Sequence, residues 1–284
     1  MTRTPLSRAS SLLRRVARLP APLRRETLLG MPLVVRDSVV RESPDYDDAW
    51  LLACSMRARV IFDVGSNMGQ AALLELASPG VTDLLLVEPN AEALAIAAEN
   101  IVRNRLSERV RFVCAFVSDR AGDRVRLWTV GTGAAGSMYP GHAQSAAKAG
   151  LSMDVPTITL DRLEVTYGLF PDFVKVDVEG AEALVLAGGR GCARRRQTRF
   201  LVEMHSNPEL PMVENAARVL RWCDELGYFA WYLARGTRLT GPELLANRGR
   251  CHLLLQPSDW PYPEWLAGIP QGASLETATR IPDA

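Results

Sequence analysis

From residue 46 onward, short apolar runs alternate with stretches whose apolar residues recur at helical spacing. Asp47 to Arg57 predicts a helix, and Arg59-Val60-Ile61-Phe62-Asp63 an apolar strand that ends in an acid. A glycine-containing turn leads into a helix from Gln70 to Ala77, stopped by Ser78-Pro79-Gly80. Leu84 to Glu88 predicts the next strand, Ala91 to Arg103 an alanine-rich helix, and Val110 to Val117 a third strand. Such continuous apolar strands separated by helices imply an α/β domain whose sheet is mostly parallel, doubly wound and covered on both faces. Phe173 to Val178 and Phe200 to His205 extend the sheet. A helix from Val213 to Leu226 and strands at Tyr228–Leu233 and Cys251–Leu255 would complete it, the C-terminal strand antiparallel.

The middle of the chain departs from this rhythm. Arg124 to Val130 predicts an extra strand, and 131–150 a small-residue loop with five glycines, followed by extended structure at Val155–Leu160 and a short helix after Thr159. A loop this long in a compact domain is expected to be functional, here as a cover over substrate. These patterns divide the chain into a lead-in over 1–45, a main domain over 46–256 and a Pro- and Trp-containing tail over 257–284 that wraps the body.

Composition changes the picture only locally. The formal net charge is +1, which gives no general argument for nucleic acid, yet residues 1–29 carry seven arginines against Glu26 alone. In that arm Ser10 can cap a short helix whose Leu12, Leu13, Val16 and Leu19 share a face, so it reads either as a solvated arm or as a peripheral membrane contact. Five widely spaced cysteines without a CxxC pair fit a reducing compartment. No apolar run approaches the roughly 18–20 residues of a membrane span, and no secretory leader is recognisable. The expected location is cytoplasmic.

Candidate chemistry gathers at two places. Asp63-Val64-Gly65-Ser66-Asn67-Met68-Gly69 joins a strand to a helix, where glycine admits a ligand close to the backbone. Asp63 can accept a hydrogen bond from a ligand ammonium, and Glu88, at the next strand end, stands at about the spacing where an acid meets ribose hydroxyls. A nicotinamide cofactor usually requires a third glycine for its pyrophosphate, and Asn67 occupies the intervening position, so the residues favour S-adenosylmethionine. Pro89 and Ser118 are counted with Gly65, Ser66, Asn67, Gly69 and Glu88 as cofactor-binding candidates.

The second place is Phe173-Val174-Lys175-Val176-Asp177-Val178-Glu179, whose alternation sets Lys175, Asp177 and Glu179 on one side. Glu203 and His205 alternate similarly on the following strand. Charges in buried strands must be paired or open into a cleft, which in such sheets lies at the strands' carboxyl ends. Lys175, one of only two lysines, is expected to pair with Asp177 or Glu203, either for chemistry or as a structural ion pair. His205 is the expected general base, with Asp177 and Glu203 orienting it or the acceptor. Alternatively Asp177, Glu203 and His205 hold a divalent ion.

These motifs resemble the FkbM family of methyltransferases. The resemblance lies in Phe62 to Gln70, Val87-Glu88-Pro89, Thr159 to Leu163, Phe173 to Glu182 and Val202 to His205, and spans roughly residues 58–233. Ser66 departs from the alanine common in the family. The resemblance implies a Rossmann-like class I fold and S-adenosylmethionine-dependent O-methylation of a small-molecule hydroxyl, often on a sugar or a natural product. It places Asp63, Gly65, Asn67, Gly69 and Glu88 on the cofactor motif. A nicotinamide oxidoreductase and a non-catalytic, membrane-recruited scaffold are the alternatives.

Overall fold

The computed structural model describes residues 21–36, 39–41, 43–132 and 136–280. The short helix expected over 12–19, and with it the membrane contact, lies outside them. The lead-in is not simply an arm. β1 (Leu23–Leu28) and β2 (Met31–Arg36) form an antiparallel hairpin around Leu29-Gly30, both at positive φ as a two-residue turn requires. Leu33 and Val35 bury one face of β2.

Then follow α1 (Asp48–Ser55), β3 (Val60–Val64), α2 (Gln70–Leu76), β4 (Asp83–Val87), α3 (Ala91–Arg103), β5 (Val110–Val113) and β6 (Phe116–Val117). The side-chain amides of Asn100 and Asn104 on α3 and its C-cap dock the hairpin: Asn104 Oδ1 accepts from Val34 N at 2.8 Å, and Asn100 Oδ1 from Arg36 N at 2.6 Å. The middle of the chain supplies β7 (Arg124–Trp128), α4 (Gln144–Lys148), β8 (Ser152–Ile158) and α5 (Leu160–Tyr167). The last part runs through β9 (Phe173–Val176), α6 (Glu182–Ala187), α7 (Arg190–Arg194), β10 (Arg199–His205), α8 (Met212–Leu226), β11 (Tyr228–Tyr232), β12 (Thr237–Arg238) and β13 (Arg250–Pro257). It closes with α9 (Glu264–Ala267) and α10 (Leu275–Thr279).

Eight strands make the main sheet, in the order β12-β11-β13-β10-β9-β3-β4-β5. β5, β4, β3, β9 and β10 are mutually parallel, and β13 inserts antiparallel between β10 and β11. Period two sorts the strands between two cores. Leu84 and Leu86 join Trp50, Leu73 and Ile101 on one face, while Leu85 and Val87 join Leu160, Val185 and Val219 on the other. α8 buries Met212, Ala216, Val219, Cys223 and Leu226, a helical stripe facing that second core.

Three features differ from the sequence expectation. The strand expected at 110–117 breaks after Val113, and Phe116–Val117 moves to a separate sheet of order β6-β8-β7 that also takes the extra strand. The alternating run 173–179 is a strand only to Val176, so Asp177 and Glu179 stand beyond its end. Two short helices, α6 and α7, fill the interval before β10. The tail, by contrast, does lie against the body: α9 and α10 pack on α1, and the Trp50 indole donates to Ile269 O at 2.8 Å. Among the described residues no helix is long and apolar enough to cross a membrane.

The chain leaves β3 toward β4 and β5, then returns to lay β9 on β3's other side. That reversal opens a crevice at the carboxyl ends of β3 and β9.

Candidate active site

A cavity of about 250 Å³ occupies this crevice. Its floor is the turn after β3. Gly65 and Gly69 both have φ of +84°, a left-handed conformation that favours glycine, and Asn67 shares it at +45°. The glycines serve packing as well as conformation. A Cβ on Gly65 would lie 1.8 Å from the Asp177 carbonyl oxygen, and one on Gly69 would lie 3.0 Å from the Ala97 methyl. Close approach of the β3 and β9 ends, not only access for a ligand, demands Gly65.

Glu88 follows β4 and is buried on the cavity wall. Its Oε2 accepts from Asn67 N at 2.9 Å and its Oε1 from Asn90 N at 2.8 Å, so the carboxylate is fixed in direction with lone pairs to spare. Burial raises its pKa against these two bonds. Asn90 caps α3 and donates to Gly131 O at 2.7 Å, tying the turn to the central loop. The Ser66 hydroxyl and the Asn67 side-chain oxygen are buried on this wall with no hydrogen-bond partner among the described residues. Buried polar atoms normally find partners, so these fit a polar ligand in the cavity.

Gly65, Ser66, Asn67, Glu88 and Pro89 line the cavity as expected. Three other expected contacts do not. Asp63 is wholly buried behind the turn, 3.1 Å from the Lys175 ammonium, and does not reach the cavity. Gly69 lies under α3 at the start of α2. Ser118 sits past the wall and donates to Asp119 at 3.0 Å, whereas Ala115, Phe116 and Val117 form the wall itself.

Lys175 pairs with Asp63 and, at 3.6 Å, with Asp177, but not with Glu203. Its ammonium also donates to Gly65 O at 3.1 Å. Burial opposes its charge, yet Asp63, Asp177 and Glu75 outweigh that and hold it protonated. Glu75 on α2 is entirely buried, with no hydrogen-bond partner among the described residues. Desolvation first, and the Asp63 charge second, push its pKa well above the carboxylate range. Asp177 lines the cavity with 29% of its side chain exposed, and burial lifts its pKa to about 7 against the pull of Lys175.

His205 occupies a different setting from the one expected of a base. Its Nδ1 meets Glu182 Oε1 at 3.0 Å, and its Nε2 lies 3.4 Å from both Glu179 and Glu203. Burial disfavours the imidazolium, but the surrounding carboxylates win and raise the pKa well above 6.5. Those carboxylates favour the imidazolium over the neutral ring that a general base needs, a setting that suits ordering the acids around His205 better than accepting a proton from the acceptor. Glu182 had no assigned role, although it closes the Lys-x-Asp-x-Glu-Gly-x-Glu run. It is held by Gly180 N and the Asn215 amide, at 2.9 and 2.8 Å.

Glu179 has a φ of +53°, rare for a non-glycine residue. The Ser137 hydroxyl donates to its carbonyl at 2.7 Å, and His142 contacts its carboxylate. Both partners come from the central loop, which is docked rather than free: Ser137 also pairs with Trp128, and Gly136 lines the cavity.

Glu203 forms an ion pair with Arg250 at 3.0 Å and faces His252 at 3.4 Å across the β10–β13 pair. Asp177, Glu203 and His205 do come together, with ligand atoms within 4.8 Å of one another, and so do Asp47, Glu203 and His252. Arg41, Asp45, Asp47 and Arg250, also on the wall, were missed because their elements lie far from the motifs in sequence. The cluster Asp45-x-Asp47-Asp48 ahead of a helix was the available signal.

A mostly parallel sheet with β13 inserted antiparallel, and a glycine turn and an acid at its switch point, define the Rossmann-like class of S-adenosylmethionine-dependent methyltransferases. The chain belongs to the FkbM methyltransferase family: the model of the Methyltransferase FkbM domain matches residues 63–230. No curated protein matches the sequence. Among solved structures, it is similar to the methyltransferase FkbM of Methylobacillus flagellatus at 14% identity and TM-score 0.44, covering 70% of this chain and 43% of that one. Trm5b of Pyrococcus abyssi gives 11% and 0.43, covering 83% and 55%. A SAM-dependent methyltransferase of Agrobacterium tumefaciens gives 13% and 0.44, covering 84% and 70%. The chain thus spans less than half the Methylobacillus protein and little more than half of Trm5b.

Proposed function

We propose that the chain transfers a methyl group from S-adenosylmethionine to a hydroxyl oxygen of a small molecule, a sugar or glycan or a natural product. The observation that carries this reading is a single cavity joining two kinds of wall: the turn with Glu88, and the acids Asp177, Glu179 and Glu203. Gly65 to Asn67, Glu88 and Pro89 would hold the cofactor, with Glu88 taking the ribose hydroxyls and the unpartnered Ser66 and Asn67 oxygens taking polar groups. Lys175 sets the turn from behind, by bonding Gly65 O and neutralising Asp63.

When bound, the cofactor supplies an electrophilic methyl group. The protein's part is to hold the acceptor oxygen about 3–3.5 Å from that carbon and to remove its proton. Asp177 is the group for this, exposed to the cavity and with a pKa of about 7, near the value that makes a carboxylate an effective base at neutral pH. His205 keeps Glu179 and Glu203 in place, and the central loop covers the site through Ser137 and His142. The charged wall of Arg41, Asp45, Asp47 and Arg250 suits a hydroxyl-rich acceptor such as a sugar.

The test is incubation with methyl-labelled S-adenosylmethionine and hydroxyl-bearing acceptors. Alkali-stable label in a small-molecule ether supports the reading. Label found only on nitrogen, or none on any acceptor while the protein stays folded, contradicts it. A nicotinamide oxidoreductase does not fit the family, and the scaffold alternative predicts no transfer at all.

A further inference from the structure

The two groups of acids and imidazoles share Glu203, but its two oxygens stand in different company. Oε1 receives the Arg250 guanidinium at 3.0 Å and faces His205 at 3.4 Å. Oε2 faces His252 Nε2 at 3.4 Å. That nitrogen belongs to a side chain 3% exposed and has no partner within ordinary hydrogen-bond geometry among the described residues. Its other neighbour, Asp47 Oδ2, lies at 3.6 Å.

These separations exceed the roughly 2.7–2.9 Å of close charge-assisted hydrogen bonds. Against its burial, the two carboxylates still favour the protonated imidazole and raise its pKa to about 9, so an ion would bind here in competition with that proton. The separations match the edge of a coordination shell, since two ligands each about 2.0–2.2 Å from one ion lie roughly 3–3.6 Å apart. The setting is built for this. Register on β10 and β13 places Glu203 opposite His252, Asp47 ends the segment entering α1, and the Trp50 ring packs 5.7 Å from the imidazole. Arg250 holds the far oxygen of Glu203 and so orients the near one, as outer-shell partners of metal ligands do.

We infer that Asp47, Glu203 and His252 form a binding site for a first-row divalent ion such as Mn²⁺ or Zn²⁺. One imidazole and two carboxylates suit such ions and leave coordination positions open. Asp47 and Glu203 both line the cavity, so those positions face the acceptor's side of it. Resting on the methyl-transfer reading above, the ion would coordinate the acceptor oxygen and lower the pKa of its hydroxyl. The site differs from the Asp177, Glu203 and His205 group expected from sequence, because the Glu203 oxygen on that side is already taken by Arg250.

The test uses the full chain stripped with a chelator and titrated calorimetrically with Mn²⁺ or Zn²⁺ alone. One ion per chain is expected, with affinity at least tenfold weaker in Asp47→Asn and in His252→Gln, and changed less than threefold in Asp177→Asn. Asp47→Asn keeps a side chain that helix starts accept, so its thermal unfolding should match the parent even if His252→Gln folds poorly. No stoichiometric binding, or binding insensitive to Asp47→Asn but lost in Asp177→Asn, overturns the inference. A parallel titration with S-adenosylhomocysteine separates the two readings: metal binding without it leaves the site standing and removes the methyl-transfer role.

Discussion

The two ends of the cavity are made in different ways. At the end proposed to hold the cofactor, one continuous segment after β3 and one acid after β4 are fixed by backbone: Glu88 is held by two main-chain N–H groups, and Gly65 by contact with the Asp177 carbonyl. At the end proposed for the acceptor, side chains from the lead-in, the central loop, β9, β10 and β13 meet, and charge balance rather than backbone holds them. A backbone-built site is rigid and tolerates few substitutions at its glycines. A side-chain-built site can exchange members while the fold survives, which suits the end that must differ between acceptors.

The sharpest way to break the contrast is at Gly65. Gly65→Ala puts a methyl against the Asp177 carbonyl at a left-handed φ, which should cost at least roughly 3 kcal/mol. The expected result is loss of folded protein or a large fall in its unfolding midpoint. An unchanged midpoint would mean that the turn is not fixed as described.

Next in size are the paired variants at the other end. Asp177→Asn should lower turnover at least about a hundredfold, as removal of a general base does, while S-adenosylhomocysteine affinity changes little. In the parent, kcat/KM should rise with pH through about 7 as Asp177 loses its proton, and level off above that. His205→Gln should lower turnover by about tenfold and keep that inflection. Loss of the inflection in His205→Gln, with its retention in Asp177→Asn, would return the base to His205.

The smallest effect concerns Glu75. Its pKa is raised from 4.5, so the folded state keeps the proton that the unfolded chain releases, and stability falls as pH rises from about 4.5 through the folded value. Glu75→Gln removes that dependence and should raise the midpoint by about 2–4 °C at pH 8, with little change at pH 4. An equal shift at both pH values would show that Glu75 does not titrate in this way.

The unequal construction also governs how much could be read beforehand. β3, β4, α3 and β10 were legible because their apolar periods are unbroken, and the turn because its glycines and acids are contiguous. The break after Val113 was not, since Cys114-Ala115 interrupts the strand without a Gly or Pro. The alternation through Glu179 misled for a related reason: period two continues in sequence past the point where Glu179 and Gly180 turn the backbone to positive φ. Asp63 looked like a ligand contact because it ends a strand, and only the partner strand shows that Lys175 takes its carboxylate. Asp47, Arg250 and His252 reach the site by long-range packing, which no local pattern records.

The central claim, that Glu88 and the turn after β3 form the cofactor end, is tested most directly by calorimetry with S-adenosylhomocysteine on the full chain and on Glu88→Ala. One molecule bound per chain, with affinity at least about tenfold weaker in a variant that remains folded, is the expected result. Absence of binding to the parent, or equal binding to both proteins, would contradict it.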